Sequence, residues 1–259
     1  MKTIKHISRY SFIGLVLLFC YIPIASLMIF SFNESRSLTT FTSFSLKWYV
    51  ELFKSQEIIN AVVITFVVAI LATIISTIIG TFASIAIARH KRRFRNTVLS
   101  ANNIPIVNPE IVTAIGMLLL FQSIQLERGL FTMLLAHIAF CVPYVILSVY
   151  PKVRSLDPSL QEAAQDLGAT PFQALRHAIL PQIKVAVFAA AAISFTMSFD
   201  DFVISYFTAG STKNISIYLY TLKRGVNPTI NALSTIMIVI ITAVVIANFI
   251  RTHKQVEGE

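Results

Sequence analysis

Apolar and polar positions fall in long blocks along this chain rather than in the short periods of a soluble domain. Six blocks, at 11–32, 61–88, 98–122, 130–150, 185–208 and 229–250, are strongly apolar and nearly free of charge. Each is close to the roughly 20 residues that cross about 30 Å of hydrocarbon as a helix. The pattern predicts an all-α, polytopic membrane protein with six transmembrane helices in one bundle. Pro105 and Pro109 interrupt the third block and argue against one straight helix there. Asn108 is placed to cap, Pro109 to open a new helix, and Glu110 to face its positive end. The organisation expected is a cytoplasmic N-terminus and first helix at 1–32, a core at 61–250 and a cytoplasmic tail at 251–259. The first apolar run exceeds the roughly 7–15 residues of a signal-peptide core and lacks a clear small-x-small site, so it is expected to be a retained anchor.

Between the fourth and fifth blocks stands "QEAAQDLGATPFQALRHAILP", residues 161–181, polar and patterned in an otherwise apolar chain. Ahead of it, Asp157 and Pro158 fit a helix cap and a first helical position. Leu160, Ala163, Ala164 and Leu167 recur at i, i+3, i+4 and i+7, giving one apolar face, while Glu162, Gln165 and Asp166 occupy the others. Gly168 is placed to end that helix in the left-handed conformation. Thr170 to Gln173 fits a capping box and predicts a second short helix, with Phe172, Leu175 and Ile179 on one side and Pro181 closing it. A helix pair resting on lipid would favour Lys and Arg on its polar face. Acids beside small alanines suit close contact with protein instead. In the second block, Ala72, Ser76, Gly80, Ser84 and Ala88 recur every fourth position, a spacing that lets another helix pack closely.

Composition strengthens the membrane reading: 13% of residues are charged, about half the roughly 25% of soluble domains. The net charge of +9 raises the question of nucleic acid, but the cations lie in short loops beside the apolar blocks, so lipid rather than nucleic acid is the expected neighbour. Lys2, Lys5, Arg9, the "RHKRRFR" run from Arg89 to Arg95, Lys152, Arg154, Arg176, Lys184, Arg251 and Lys254 share one side. Arg36, Lys47, Lys54, Arg128, Lys213, Lys223 and Arg224 share the other. Positive charge accumulates on the cytoplasmic side, which puts both termini and the loop at 157–181 inside.

Several chemistries find no support. None of the eight glycines is followed by lysine, so the phosphate-binding loop of ATPases is missing. His6, His90, His137, His177 and His253 have no metal-ligand spacing and no nucleophile partner, so neither metal nor cofactor is expected. His137 is expected to be a packed, hydrogen-bonded residue. Cys20 and Cys141 lie in apolar blocks and read as small buried hydrophobes.

Three acids stand inside apolar blocks, where an ionisable residue costs about 2.5–3.5 kcal/mol: Glu110, Asp200 and Asp201. Asp200 falls about 22 Å along a helix starting at Val185, in the outer half of the membrane. Adjacent helical residues point about 100° apart, so one of the pair is expected to line a route and the other to bond a neighbouring helix. Carboxylates along a route offset the desolvation of a cationic solute, and a few of them do so without trapping it. Tyr144, Phe199 and Phe202 are candidates for cation–π contacts. For Glu110, stabilising a helix restart and touching the solute remain equal readings.

Glu162-Ala163-Ala164, Gly168 and Leu180-Pro181 together resemble the cytoplasmic EAA loop of ABC-importer permeases, with Ala178 where that family usually has isoleucine. The likeness covers nearly the whole chain. "SFN" at 31–33, "WY" at 48–49, "AHIAFCVPYV" at 136–145, "SFDDFVIS" at 198–205 and "GVNPTINALSTI" at 225–236 are similar to the spermidine/putrescine permeases, C-type subunits in particular. The resemblance implies a type I (MetI-like) importer-permease fold in a bacterial inner membrane. It also implies a second permease subunit, two copies of a cytoplasmic ABC ATPase docked on the loop through Glu162, and an extracytoplasmic polyamine-binding protein. ATP hydrolysis would then belong to a partner. An ABC permease for iron, thiamine or an amino acid is the alternative, followed by a stand-alone channel or secondary transporter.

Overall fold

The structure, a computed structural model, describes residues 2–37, 39–157, 159–222 and 227–256. Pro158, Lys223, Arg224, Gly225 and the tail residues 257–259, which figure in the sequence reading, lie outside them. In chain order the helices are α1 (Lys2–Phe30), α2 (Lys47–Lys54), α3 (Gln56–Arg89), α4 (Arg92–Val107), α5 (Glu110–Ser123), α6 (Leu130–Arg154), α7 (Ser159–Asp166), α8 (Pro171–Ala174), α9 (Leu180–Phe199), α10 (Val203–Thr208), α11 (Ile215–Thr221) and α12 (Pro228–Val256). A π-helical turn, Leu175–Ile179, joins α8 to α9. Among the described residues no strand forms, only an isolated bridge between Asn33 and Phe44. Among the described residues, five helices are long and apolar enough to cross a membrane, or six if α4 and α5 make one span.

The chain divides into two compact units, 1–59 with 222–259 and 60–221. In the first, α12 packs on α1 and α2. Two of the sequence motifs meet here. Ser31 Oγ and Tyr49 OH lie 2.8 Å apart, and the buried Trp48 indole donates to the Asn33 carbonyl. Asn33 also ties down the following loop, donating to the Ser37 and Thr40 carbonyls and accepting from Thr42. Arg36 and Lys47 lie over the Trp48 ring. Cys20 is exposed on α1, contrary to the sequence reading, because the packing of α12 leaves the α1 span at Phe12–Phe30 unburied among the described residues. Lipid is as apolar as a core, so such a helix pays nothing for that exposure.

In the second unit α6 and α9 run against each other, α10 packs on α5 and α6, and α4 on α6. The small-residue stripe of α3 packs as expected. Ala72, Ser76, Gly80 and Ser84 are buried, Ser76 Oγ meets Ser194 Oγ at 2.8 Å, and a Cβ at Gly80 would lie 2.5 Å from Val145 Cγ1. Toward the loop end, Ile85, Val145, Val149, Ile179 and Ile183 form one core cluster. Toward the other end, Ala114, Phe121, Phe140, Cys141 and Ile204 form a second.

Three boundaries depart from the sequence pattern. The third apolar block is two helices bent by 104° at Asn108-Pro109. Asn108 ends α4 there and makes no side-chain cap for α5, whose first residue is Glu110. The fifth block does not run unbroken to 208, since α9 stops at Phe199 and α10 starts at Val203. Pro181 does not close the loop's second helix either. That helix continues through the π-turn into α9, with Pro181 in the first turn of α9, where a missing N–H is tolerated.

Candidate functional site

Two chain breaks in the second unit converge. Glu110 opens α5 just after the 104° bend, and Asp200 and Asp201 occupy the gap between α9 and α10. The Glu110 side chain reaches Asp201 and feels Asp200 as well, so the structure brings all three intramembrane acids together. Tyr144 lies within electrostatic reach of Glu110. The two aspartates differ in environment, although they lie in a break between helices and not along one helix as the sequence spacing assumed. Asp200 is exposed, whereas Asp201 is only 5% exposed.

Asp201 is held by its own chain. Its Oδ1 accepts from Ile204 N–H at 3.1 Å, and its Oδ2 accepts from Ser205 N–H and Ser205 Oγ, both at 2.8 Å. A carboxylate one residue before the N-cap thus satisfies the free amides at the start of α10. His137, fully buried on α6, sits 3.3 Å from Asp201 Oδ2 and bonds Ser198 and Ser205. It is the packed, bonded residue expected. Beside the gap, Phe202, Tyr206 and Tyr220 form an aromatic group with centroids 4.8–5.4 Å apart. Tyr206 and Tyr220 are partly open, at 46% and 65% exposure. Phe199 instead packs edge-on against Phe66.

The loop at 157–181 is built largely as its sequence dictates. Asp157 Oδ1 accepts from the Ser159 N–H and hydroxyl at the start of α7. Those bonds hold its carboxyl below the ordinary value of 3.8. Gly168, with φ of +87°, ends α7 by donating to the Gln165 carbonyl at 2.8 Å. Thr170 and Gln173 exchange the two bonds of a capping box. Glu162, Ala163, Leu167 and Phe172 all face outward, Leu167 at 90% exposure. Phe172 therefore does not share a buried side with Ile179, because the π-turn between them rotates the chain off the 3.6-residue period. Leu180 anchors the loop by packing on the inner core cluster, while Pro181 is exposed. Glu162 lines a hollow of about 530 Å³ with Arg89, Arg154 and Gln165, and Ala164 and Gly168 line a second of about 370 Å³.

Sequence reasoning missed Ser198, Ser205 and Asn214, which complete the polar cluster around Asp201, and the Tyr206–Tyr220 pair. One signal was there. Aspartate just before "FVIS" is a helix-start pattern, and it implied a break where the apolar run suggested continuity.

A family model described as a binding-protein-dependent transport system inner membrane component matches residues 76–256. The chain is 37% identical to the spermidine/putrescine transport system permease protein PotC of Haemophilus influenzae, over 95% of this chain and 97% of that one. It is 34% identical to the Escherichia coli K12 protein of the same name, over 98% and 97%. Its identity to the putrescine transport system permease protein PotI of that strain is 35%, over 93% and 88%. Among solved structures it resembles a bacterial ABC transporter involved in import of the acidic polysaccharide alginate. The TM-score is 0.76 at 15% identity, with 96% of both chains covered. At that identity the likeness speaks for a shared fold.

Proposed function

The chain belongs to the family of binding-protein-dependent transport system inner membrane components, and from that premise we propose that it is the permease subunit through which an ATP-driven importer takes up polyamines, spermidine or putrescine. It is a multi-pass protein of the bacterial inner membrane, with both termini and the loop at 157–181 on the cytoplasmic side. A second permease subunit completes the pathway. Two copies of an ABC ATPase dock on the loop, and an extracytoplasmic protein delivers the cargo. ATP is hydrolysed by the ATPase and not by this chain.

The observation that carries this reading is the meeting of Glu110, Asp200 and Asp201 where two helices are broken. A polyamine must shed water from separated ammonium groups to cross. Fixed carboxylates at an open helix break offset that cost, and broken helices near the midplane are where transport sites form. Phe202, Tyr206 and Tyr220 offer ring faces to the alkyl-ammonium chain beside them. On the cytoplasmic side, outward-facing Glu162 and Ala163, with half-exposed Ala164 and the Gly168 turn, form the ATPase-coupling surface, which Leu180 anchors and Pro181 follows in the first turn of α9. Motion of the loop passes directly into α9, since one helix joins them.

Labelled spermidine uptake by cells carrying Asp200→Asn or Glu110→Gln tests the pathway. Uptake in Asp200→Asn is expected to fall by about tenfold, the weight of one charge-assisted contact. Unchanged uptake in both variants, at normal protein levels, would remove the acids from the pathway.

A further inference from the structure

His137 belongs to none of the groups assigned above, yet it ties together three helices. Its Nδ1 lies 2.7 Å from Ser198 Oγ in the last turn of α9, and its Nε2 2.9 Å from Ser205 Oγ on α10. The hydrogens of this cluster can be counted. Ile217 N–H donates to Asn214 Oδ1, which turns the Asn214 amide nitrogen toward Ser205 Oγ at 2.8 Å. Ser205 Oγ has one hydrogen and gives it to the charged acceptor, Asp201 Oδ2. What passes between Ser205 and His137 is therefore a hydrogen on Nε2, which also points toward Asp201 Oδ2 at 3.3 Å. Among the described residues Ser198 Oγ has no partner besides His137 Nδ1. Both ring nitrogens of His137 thus have a partner, and the ring ties Ser198, Ser205 and Asp201 into one network.

Both oxygens of Asp201 are then committed to donors of this chain, while Asp200 next to it stays exposed. We propose that His137 is a positioning residue of the transport pathway. It fixes Asp201 in the break between α9 and α10, so that Asp201 supplies a stationary charge and Asp200 is the carboxylate that meets the cargo. This rests on reading the acid cluster as the cargo pathway. His137 acts through Asp201 and Ser205 and does not touch the cargo.

The test uses the whole importer in proteoliposomes and reads uptake per ATP hydrolysed. A residue needed only for folding lowers uptake and ATPase together, whereas a positioning residue lowers the first and spares the second. Glutamine can place a donor where Nε2 stood; asparagine replaces only the Nδ1 side. His137→Asn is expected to lower spermidine uptake per ATP by about tenfold, with ATPase activity within about twofold of wild type, and His137→Gln to retain at least about half of the uptake. In an Asp201→Asn background, His137→Asn is expected to add no further loss. Normal uptake in His137→Asn, an equal fall in ATPase, or a further full-sized loss in the double variant overturns the proposal. If His137→Asn does not assemble, His137→Gln decides alone: retained uptake per ATP supports the positioning role and its loss refutes it. A wrong cargo silences wild type and variants alike, whereas a wrong role for His137 leaves the variant equal to wild type.

Discussion

Asp200 and Asp201 are neighbours in sequence and opposites in environment, one exposed and one buried beneath four donors. Neutralising them should fail in different ways. Asp200→Asn removes an exposed charge and leaves the fold intact, so protein level is expected to be normal and, on the proposed pathway, uptake reduced. Asp201→Asn replaces an acceptor with a group that is half donor, facing two backbone N–H groups. It is expected to cost about 1–3 kcal/mol in stability as well, readable as a lowered unfolding temperature of the detergent-purified complex. Equal unfolding temperatures for the two variants would contradict this division. Asp157 offers a test in pH. Its folded-state value is depressed by Ser159, so the stability of the turn is complete above the ordinary carboxylate value and is lost as pH falls through the depressed one. Hydrogen exchange at the Ser159 amide, corrected for its intrinsic rate, is expected to be slow at neutral pH and fast in Asp157→Ala. Equal protection would mean the carboxylate does not hold the turn. The 100° step of a helix led the sequence reading to expect different directions for the two aspartates, but they differ because the chain breaks there and Asp201 turns to the start of α10. Which of them is buried was not legible, because that depends on His137 and Asn214, distant in sequence.

At the scale of elements, the loop at 157–181 was the most legible part of the chain and its exit the least. Gly168, the capping box and the start of α7 obey local rules of dihedral and cap, so they follow from neighbouring residues. The π-turn at Leu175–Ile179 arises where the loop joins the packing of α9, and no local pattern announces it. Likewise the apolar run at 185–208 hid the break at Asp200, since apolar runs report burial in lipid and not continuity. Gly168 has open space around it, so Gly168→Ala meets only the penalty of φ +87°, about 1 kcal/mol. Gly168→Pro also deletes the N–H given to Gln165 and forbids the dihedral. ATPase stimulation by loaded binding protein is expected to survive the first change and disappear with the second. Full coupling in Gly168→Pro would remove the turn from the mechanism.

At the scale of the molecule, each unit is a set of membrane helices held by close approach rather than by a water-driven core. Gly80 is one such point of approach, with Val145 occupying the space of a Cβ. Gly80→Ala is expected to destabilise the protein by about 1–3 kcal/mol, whereas Gly116→Ala, with nothing within 4 Å, should be neutral or mildly stabilising. Matching unfolding temperatures for the two would refute the packing account. The apolar spans and the family could be read along the chain because hydropathy and the loop motif are linear signals. The convergence of Glu110 with Asp200 and Asp201 could not, because it joins two breaks about 90 residues apart. The central claim is that this convergence passes a polyamine under the drive of an external ATPase. Its most direct test is uptake of labelled spermidine into proteoliposomes holding the assembled importer, with unlabelled putrescine, ferric iron, thiamine and amino acids as competitors. Uptake that needs ATP and every subunit, and that only polyamines suppress, is the predicted result. Uptake by this chain alone, or suppression by another solute and not by polyamines, would contradict it.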